Sequence, residues 1–376
     1  MKVSISSKIV EGPWGGGNLF IKNLSQYLKL NGVDVVHDLF SKDIDVILLI
    51  DPRKDSFATV YGHKEIINYQ KYINNDVLVV QRFNECDQRK NTRGLNEFLK
   101  TANECSDVNI FVSNWLLEVF KKEGLQNKQN KVIMTGAQQN IFNSDGYKKW
   151  DKESKIKAVT HHWGDNVNKG FEIYSLLDKL LDTKYSDLLE FTYVGNIPKE
   201  FKFKNTNYIP PTHGKELAQI LKNNHFYITA SKNEPSGNHH IEAAQCGLPI
   251  LYLDSGGIPE FCDGFGISFN EENFQEKLDE MINKYYFFET KMVDYPFNSD
   301  LMCKEYLDEF YRILKIKKKL INNRVHNRKT EFVQNKYLFL IKLNSLKLVN
   351  KNIYFSKIYM LMKRLILKIK STMLGL

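Results

Sequence analysis

Two glutamates, Glu234 and Glu242, stand eight positions apart across the turn Pro235-Ser236-Gly237, and a buried-type strand and a second glycine turn, Asp254-Ser255-Gly256-Gly257, follow them. The first turn, together with the Gly247 and Pro249 that end the run from His239 to Cys246, predicts Glu234 at the loop end of a strand and Glu242 inside the next helix. Carboxylates so placed could hold opposite ends of one ligand, with the backbone N–H groups of Gly237, Asn238, His239 and His240 turned toward an anion between them. A helix N-terminus behaves as roughly half a positive charge, so a diphosphate there needs little help from side chains. That order of groups is what a nucleotide-sugar site needs. The same spacing also fits two solvated glutamates on a Gly-Pro loop.

Three other segments concentrate polar groups where strands should end. Glu11-Gly12-Pro13-Trp14-Gly15-Gly16-Gly17-Asn18 follows the first strand and opens a predicted helix from Leu19 to Lys29. Its glycines allow a ligand to approach the backbone, but it has neither the dinucleotide Gly-x-Gly-x-x-Gly spacing nor the Gly-Lys-Ser/Thr ending of a P-loop. The run from Gln81 to Lys90 follows a buried-type strand, and Arg82 and Asn84 are its best candidates to face a cleft. The run from Thr160 to Phe171 joins a strand to a helix; Lys169 could reach a phosphate as a mobile point charge, and Trp163 could floor a ring. His161 and His162 have no third ligand at a recognisable spacing, so no metal is expected. Tight turns and solvated loop residues are the plain alternative for each segment.

These loops need a frame that brings strand ends together. Short apolar runs alternate with helical patterns through residues 1–300, the pattern of parallel sheets covered by helices on both faces. Candidate strands are 2–6, 45–50, 76–81, 108–112, 131–134, 157–159, 189–194, 225–229 and 249–253. A chain of 376 residues exceeds the size at which one core keeps growing, so two units fit better than one. The expected class is α/β with two facing doubly wound, Rossmann-like domains. The polar stretch between Asn140 and Lys155 marks the boundary, giving an N-terminal domain 1–150, a C-terminal domain 151–310 and a tail 311–376. Ligands of such sheets lie at the carboxyl ends of strands, here the cleft between domains.

Charge is unevenly spread. The formal net charge is +9, but residues 311–376 carry 17 Lys or Arg and one acid, Glu331, so the rest of the chain is mildly acidic. Within the tail Tyr354, Ile358, Leu361, Leu365 and Ile369 recur at helical spacing, with Lys357, Arg364 and Lys368 on an opposite stripe. That pattern suits an interfacial helix on an anionic membrane, or a helix packed on the body or another chain. No nucleic-acid recognition motif accompanies the basic residues. The five cysteines lack CxxC spacing and read as reduced thiols. No signal-like apolar stretch follows Met1, and no window reaches about 18 apolar residues, so the expectation is a cytoplasmic protein, peripheral on the inner face of the plasma membrane.

Taken together, the motifs resemble the retaining GT-B glycosyltransferases, the large group of bacterial sucrose, mannosyl and surface-polysaccharide transferases, over residues 1–310. The group's two-glutamate motif usually reads Glu-Gly-Phe-Gly and reaches its second Glu after seven intervening residues; Glu234, Gly237 and Glu242 keep that pattern. The resemblance implies that Glu234 contacts the transferred sugar, Glu242 the ribose, and Lys169 the phosphates, with Gly16 and Gly17 near the diphosphate. Ser255-Gly256-Gly257 with Glu260 is similar to the group's Gly-Gly-x-x-Glu turn, and Ser113-Asn114-Trp115 with Gly136 and Phe142 to its run at the end of the first domain. It further implies a nucleoside diphosphate sugar as donor, a glycan or lipid-linked glycan as acceptor, and no metal.

Three departures accompany this likeness. The arginine expected just before the phosphate lysine is replaced by the His161-His162-Trp163 region, where His162 could substitute as imidazolium or as a neutral donor. The N-terminal histidine often found near the donor sugar is missing, with Arg82 and Asn84 in that neighbourhood. Pro235-Ser236 replaces Gly-Phe. A non-catalytic nucleotide- or carbohydrate-binding module that kept the fold is the competing class.

Overall fold

A computed structural model describes residues 1–10, 16–53, 56–125 and 128–324. Two parallel six-stranded sheets organise them. The first comprises β1 (Lys2–Ile5), β2 (Asp34–Val36), β3 (Val46–Leu49), β4 (Leu78–Phe83), β5 (Val108–Phe111) and β6 (Gln129–Val132), in the order β2-β1-β3-β4-β5-β6. The second comprises β7 (Ile156–His162), β8 (Leu189–Gly195), β9 (Asn207–Ile209), β10 (Phe226–Thr229), β11 (Ile250–Leu253) and β12 (Gly266–Phe269), in the order β12-β11-β10-β7-β8-β9. Strands such as Val-Ile-Leu-Leu of β3 are buried along their whole length because helices cover both faces of the sheet. In each sheet the strand order reverses beside the first strand, at β1/β3 and at β7/β10, which is where a doubly wound sheet opens a crevice.

The crossing between the two units is narrower and earlier than the polar stretch suggests. Ala137 and Phe142 already pack in the second unit's core, and Ala137 N–H donates to the Phe297 carbonyl at 3.3 Å while Ser299 N–H donates to the Ala137 carbonyl at 2.7 Å. The outgoing and returning chains thus run side by side. Gly136 is required there, since a Cβ on it would lie 2.0 Å from the Asn298 carbonyl oxygen.

The return helix corrects the expected boundary at residue 310. Asn298 caps the helix Ser299–Lys315, which runs through that boundary and buries Met302, Cys303, Tyr306, Phe310 and Ile313 against Val3, Ile5 and Phe20 of the first unit. Arg324 then pairs with buried Asp107 at 2.5–2.7 Å. Residues 311–324 are therefore part of the first unit's wall. The membrane-helix expectation for Tyr354 to Ile369 falls outside the described residues, as do Glu11 to Gly15 of the glycine-rich loop.

Candidate active site

Glu234 lies in the loop after β10, and its conformation is fixed from below by glycines. Gly237 has φ +74°, and a Cβ there would meet the Glu234, His239 and His240 side chains within 3.0 Å. Gly256, at φ +69°, packs its bare Cα under the Glu234 backbone, where a Cβ would stand 2.5 Å from the carbonyl oxygen. The turn after β11 therefore positions Glu234; its Gly257 N–H is spent on the Glu234 carbonyl at 2.8 Å.

Lys169 reaches the same point from the β7 side. It ends a single 3-10 turn, Val167–Lys169, and Gly170 at φ +78° lets that turn sit against the end of β10, 2.2 Å from the Ala230 oxygen to any added Cβ. Lys169 Nζ donates to Glu234 Oε2 at 2.6 Å. The other oxygen, Oε1, is held at 2.7 Å by Arg89 Nε, which comes from the opposite unit. Arg89 also donates from Nη1 to Glu85 Oε2 at 2.8 Å. Glu234 is only 4% exposed and Lys169 7%. Burial pushes the Glu234 carboxyl up, but the Lys169 ammonium and Arg89 guanidinium more than offset it and hold the carboxyl down at about 2.

Other contacts close this side of the cleft. Asn168 Nδ2 donates to the carbonyls of Gln88 and Arg89 at 3.1 and 2.9 Å. Glu260 accepts from the N–H groups of Asn114 and Trp115 at 2.7 and 2.6 Å, so its carboxylate caps the helix Asn114–Lys122 of the other unit beside the Ser113 cap. In this structure Glu260 serves closure of the two units.

Glu242 lies in the helix Asn238–Gln245 and accepts at Oε2 from His161 Nε2, 3.0 Å away. With Asn238, Gly16, Thr135 and Phe142 it lines a small cavity between the units. Gly16 opens the helix Gly16–Leu30 and packs close to Asn238, whose side chain would have to move to admit a Cβ, 2.8 Å from its Nδ2. The first-turn N–H groups of Asn238 and its neighbours have no intrahelical acceptors.

Several predicted residues stand elsewhere. Gly17, Arg82 and Asn84 line a separate cavity of about 170 Å³ in the first unit rather than the Lys169–Glu234 pair. His162 points into the second core, with Nε2 2.6 Å from the Tyr174 hydroxyl. Burial, with Lys169 nearby, drives its pKa far below the usual imidazole value, which disfavours the imidazolium. His239 is likewise buried, with Nε2 on Thr229 Oγ1 at 2.9 Å. Trp163 is half-exposed. Among the described residues no group of three or more His, Cys, Asp or Glu is arranged to hold a metal ion.

Arg89 is the residue that sequence reasoning missed. It lies in the polar run after β4, from which Arg82 and Asn84 were the expected cleft residues. The order along the run carries no mark of which cation crosses to a carboxylate 145 positions later.

Two facing doubly wound sheets with these loops in the cleft form the GT-B fold of glycosyltransferase structures. Sucrose-phosphate synthase from Thermosynechococcus elongatus superposes with a TM-score of 0.56 at 12% identity, covering 84% of this chain and 98% of that one. Anabaena Alr3699/HepE, in complex with UDP and glucose, gives 0.57 at 13% identity over 82% and 99%. In sequence, the chain is 27% identical over 202 residues to a probable sucrose-phosphate synthase of Thermosipho melanesiensis, covering 47% of this chain and 46% of that protein. It is 27% identical over 109 residues to the sulfoquinovosyl transferase SQD2 of Arabidopsis thaliana, covering 29% of this chain and 21% of that protein. The matched parts span less than half the length of either relative. No protein-family model matches the chain.

Proposed function

We propose that this protein is a glycosyltransferase that moves a hexose from a nucleoside diphosphate sugar to a hydroxyl of a glycan or lipid-linked glycan, with retention at the anomeric carbon. The observation that carries this reading is the pair of cations, Lys169 and Arg89, converging on buried Glu234 at 2.6 and 2.7 Å beside the β10 end. Departure of the diphosphate is the costly step, and its growing negative charge needs fixed positive groups in a water-poor site. Lys169 supplies one, and the N-terminus of the helix Asn238–Gln245 supplies another. No metal is required on this reading. Glu234, once a donor displaces it from its cations, orients the sugar, and Glu242 takes the ribose. Among the described residues no second carboxylate is placed as a nucleophile, and the reading is front-side attack assisted by the leaving phosphate rather than double displacement.

The test is release of nucleoside diphosphate from a panel of UDP, GDP and ADP sugars, with and without membrane lipid extract. Release from one donor that is lost in Lys169→Ala supports the reading. Nucleotide binding without release from any donor, lipid extract included, points instead to the non-catalytic module. Glu242→Ala is expected to weaken nucleoside diphosphate binding by about tenfold in calorimetry, the loss of one charge-assisted hydrogen bond pair. Unchanged affinity would remove Glu242 from the ribose.

The proposed location is cytoplasmic and peripheral on the membrane. No helix among the described residues is long and apolar enough to cross a membrane, and the 17 basic residues of 311–376 supply the attraction to an anionic surface. A chain ending at residue 325 keeps the Arg324–Asp107 anchor. It is expected to lose flotation with anionic liposomes, and retained flotation would eliminate the tail as the membrane contact.

A further inference from the structure

Among the described residues, the first unit contains a buried cation without an anionic counterpart. Arg82 ends β4 and is 4% exposed, its guanidinium stacked 4.0 Å above the Phe20 ring. Among the described residues Nε and Nη1 have no hydrogen-bond partner, the Tyr306 hydroxyl is the polar group beside the guanidinium, and no carboxylate forms an ion pair with it. A buried guanidinium left in this state is costly, and native structures retain one where something else completes it.

What surrounds it is a cavity of about 170 Å³, lined by Arg82, Asn84 and Ser7 together with Gly17 and Asn18. Gly17 and Asn18 belong to the first turn of the 15-residue helix Gly16–Leu30, whose N–H groups have no intrahelical acceptors. The remaining charges in the wall cancel in pairs. Asp51 and Arg53 bind each other through two contacts at 2.9 and 3.0 Å, and Glu85 is held by Arg89 at 2.8 Å. One cation and a helix N-terminus are left facing the same space, which is an environment for an anion.

Position identifies whose anion it is. Glu85 is part of the cavity wall, and through Arg89 it is one side chain removed from Glu234. A ligand in this cavity therefore lies next to the point where the donor sugar is held. The space is smaller than the roughly 300–1,000 Å³ of pockets for drug-sized ligands, so it suits one ring or one anionic group.

We propose that this cavity is a phosphoryl subsite for the acceptor, with the Arg82 guanidinium and the first-turn N–H groups of Gly17 and Asn18 holding a phosphate carried by the acceptor glycan or its lipid carrier. The inference rests on the transferase reading, because that reading makes the neighbouring ligand an acceptor. A phosphate that is free on a sugar and one that links a sugar to lipid present the same oxygens to Arg82.

The experiment first saturates the protein with a nucleoside diphosphate, which occupies the Lys169 site, and then titrates three probes: plain glucose, glucose 6-phosphate, and phosphatidylcholine vesicles doped with a polyprenyl phosphate. At least one phosphorylated probe is expected to bind more tightly than glucose, and which one does so names the source of the phosphate. Arg82→Met, which keeps the packing on Phe20, is expected to weaken that binding by at least about tenfold, and Arg82→Lys to restore part of it. Nucleoside diphosphate affinity should be unchanged in both. Arg82→Met should also melt at the same temperature as the wild type or higher, since an uncompensated buried charge has been removed. Phosphorylated probes that bind no better than glucose, or equally well to Arg82→Met, would overturn the proposal. So would a lower melting temperature in Arg82→Met accompanied by loss of nucleoside diphosphate binding, which is the behaviour of a structural arginine. Failure of the wild type to bind any nucleoside diphosphate would count against the transferase reading alone, because the phosphoryl titration can still be read without it.

Discussion

Glu234→Gln is expected to abolish donor turnover and to destabilise the fold in the same step. The wild-type carboxylate is buried and neutralises Lys169 at 2.6 Å and Arg89 at 2.7 Å. A carboxamide presents one oxygen and no charge, leaving two cations facing each other in a site of low dielectric. Removing one partner of a buried ion pair costs about 3–5 kcal/mol, and Arg89 keeps Glu85 as a second partner, so the lower end of that range applies. Turnover should fall by at least about 10²–10³-fold, the size of losing one preorganised electrostatic group. The sequence, which places Glu234 at the loop end of a strand and in contact with the sugar, leads instead to the expectation that Glu234→Gln keeps the fold and loses turnover alone. The double variant Glu234→Gln/Lys169→Met should recover part of the lost stability while remaining inactive, because it removes one of the stranded cations. Urea unfolding and nucleoside diphosphate release separate the two effects. A wild-type unfolding midpoint in Glu234→Gln would mean that the cations have other partners and that the cluster is not the electrostatic centre described above.

The difference between those two expectations shows where the sequence stops being informative. Strands β3 and β11 are legible because burial on both faces demands uninterrupted apolar runs, Val-Ile-Leu-Leu and Ile-Leu-Tyr-Leu, and β4, β5 and β10 because their runs are mostly apolar. The edge strands β2, β9 and β12 are not, since Asp34–Val36 and Asn207–Ile209 have three residues each and exposed positions in them, and Gly266–Phe269 begins on glycine. The helix Ser299–Lys315 has a clear apolar face, yet nothing in its periodicity says which of two sheets it covers. Its return to the first unit is decided by the crossing at Gly136 and Asn298, a contact between backbones 162 positions apart. Glycine spacing marks where Glu234 must turn. It does not reveal that the turn after β11 lies under Glu234, or that Arg89 and Glu260 reach across the cleft, because these pairings depend on how two independently folded sheets face each other. Arg82 illustrates the same limit: its place at the end of β4 is readable, whereas its lack of a carboxylate partner among the described residues is visible only in three dimensions.

A second large effect is expected on acidification, and it originates in histidines rather than in the carboxylate cluster. His162, His239 and His240 are buried around the site and His225 at the start of β10, and burial lowers all four, His240 to about 3 and His225 to about 4, the others far below the usual value. In the unfolded chain each would titrate near the ordinary value of about 6.5. A group whose folded pKa is depressed contributes its stability above the unfolded value and loses it as pH falls toward the folded one. Between about pH 6.5 and 4 the unfolded state therefore binds up to four more protons than the folded state, and the slope approaches about 5 kcal/mol per pH unit. A protein of ordinary stability, about 5–15 kcal/mol, should then unfold within this window, before Glu234 begins to lose its own contribution between about pH 4.5 and 2. Among the described residues neither ring nitrogen of His240 has a hydrogen-bond partner, and the ring packs on Phe261 at 5.6 Å, so His240→Phe removes one of the four protons without stranding a hydrogen bond. Its melting temperature should fall less steeply with pH, by about a quarter of the wild-type slope. Melting temperatures recorded from pH 8 to pH 5 decide the matter: a flat wild-type profile, or a His240→Phe profile parallel to it, would show that these histidines take up protons without unfolding and that the buried ring cluster around Glu234 is more open to water than its packing implies.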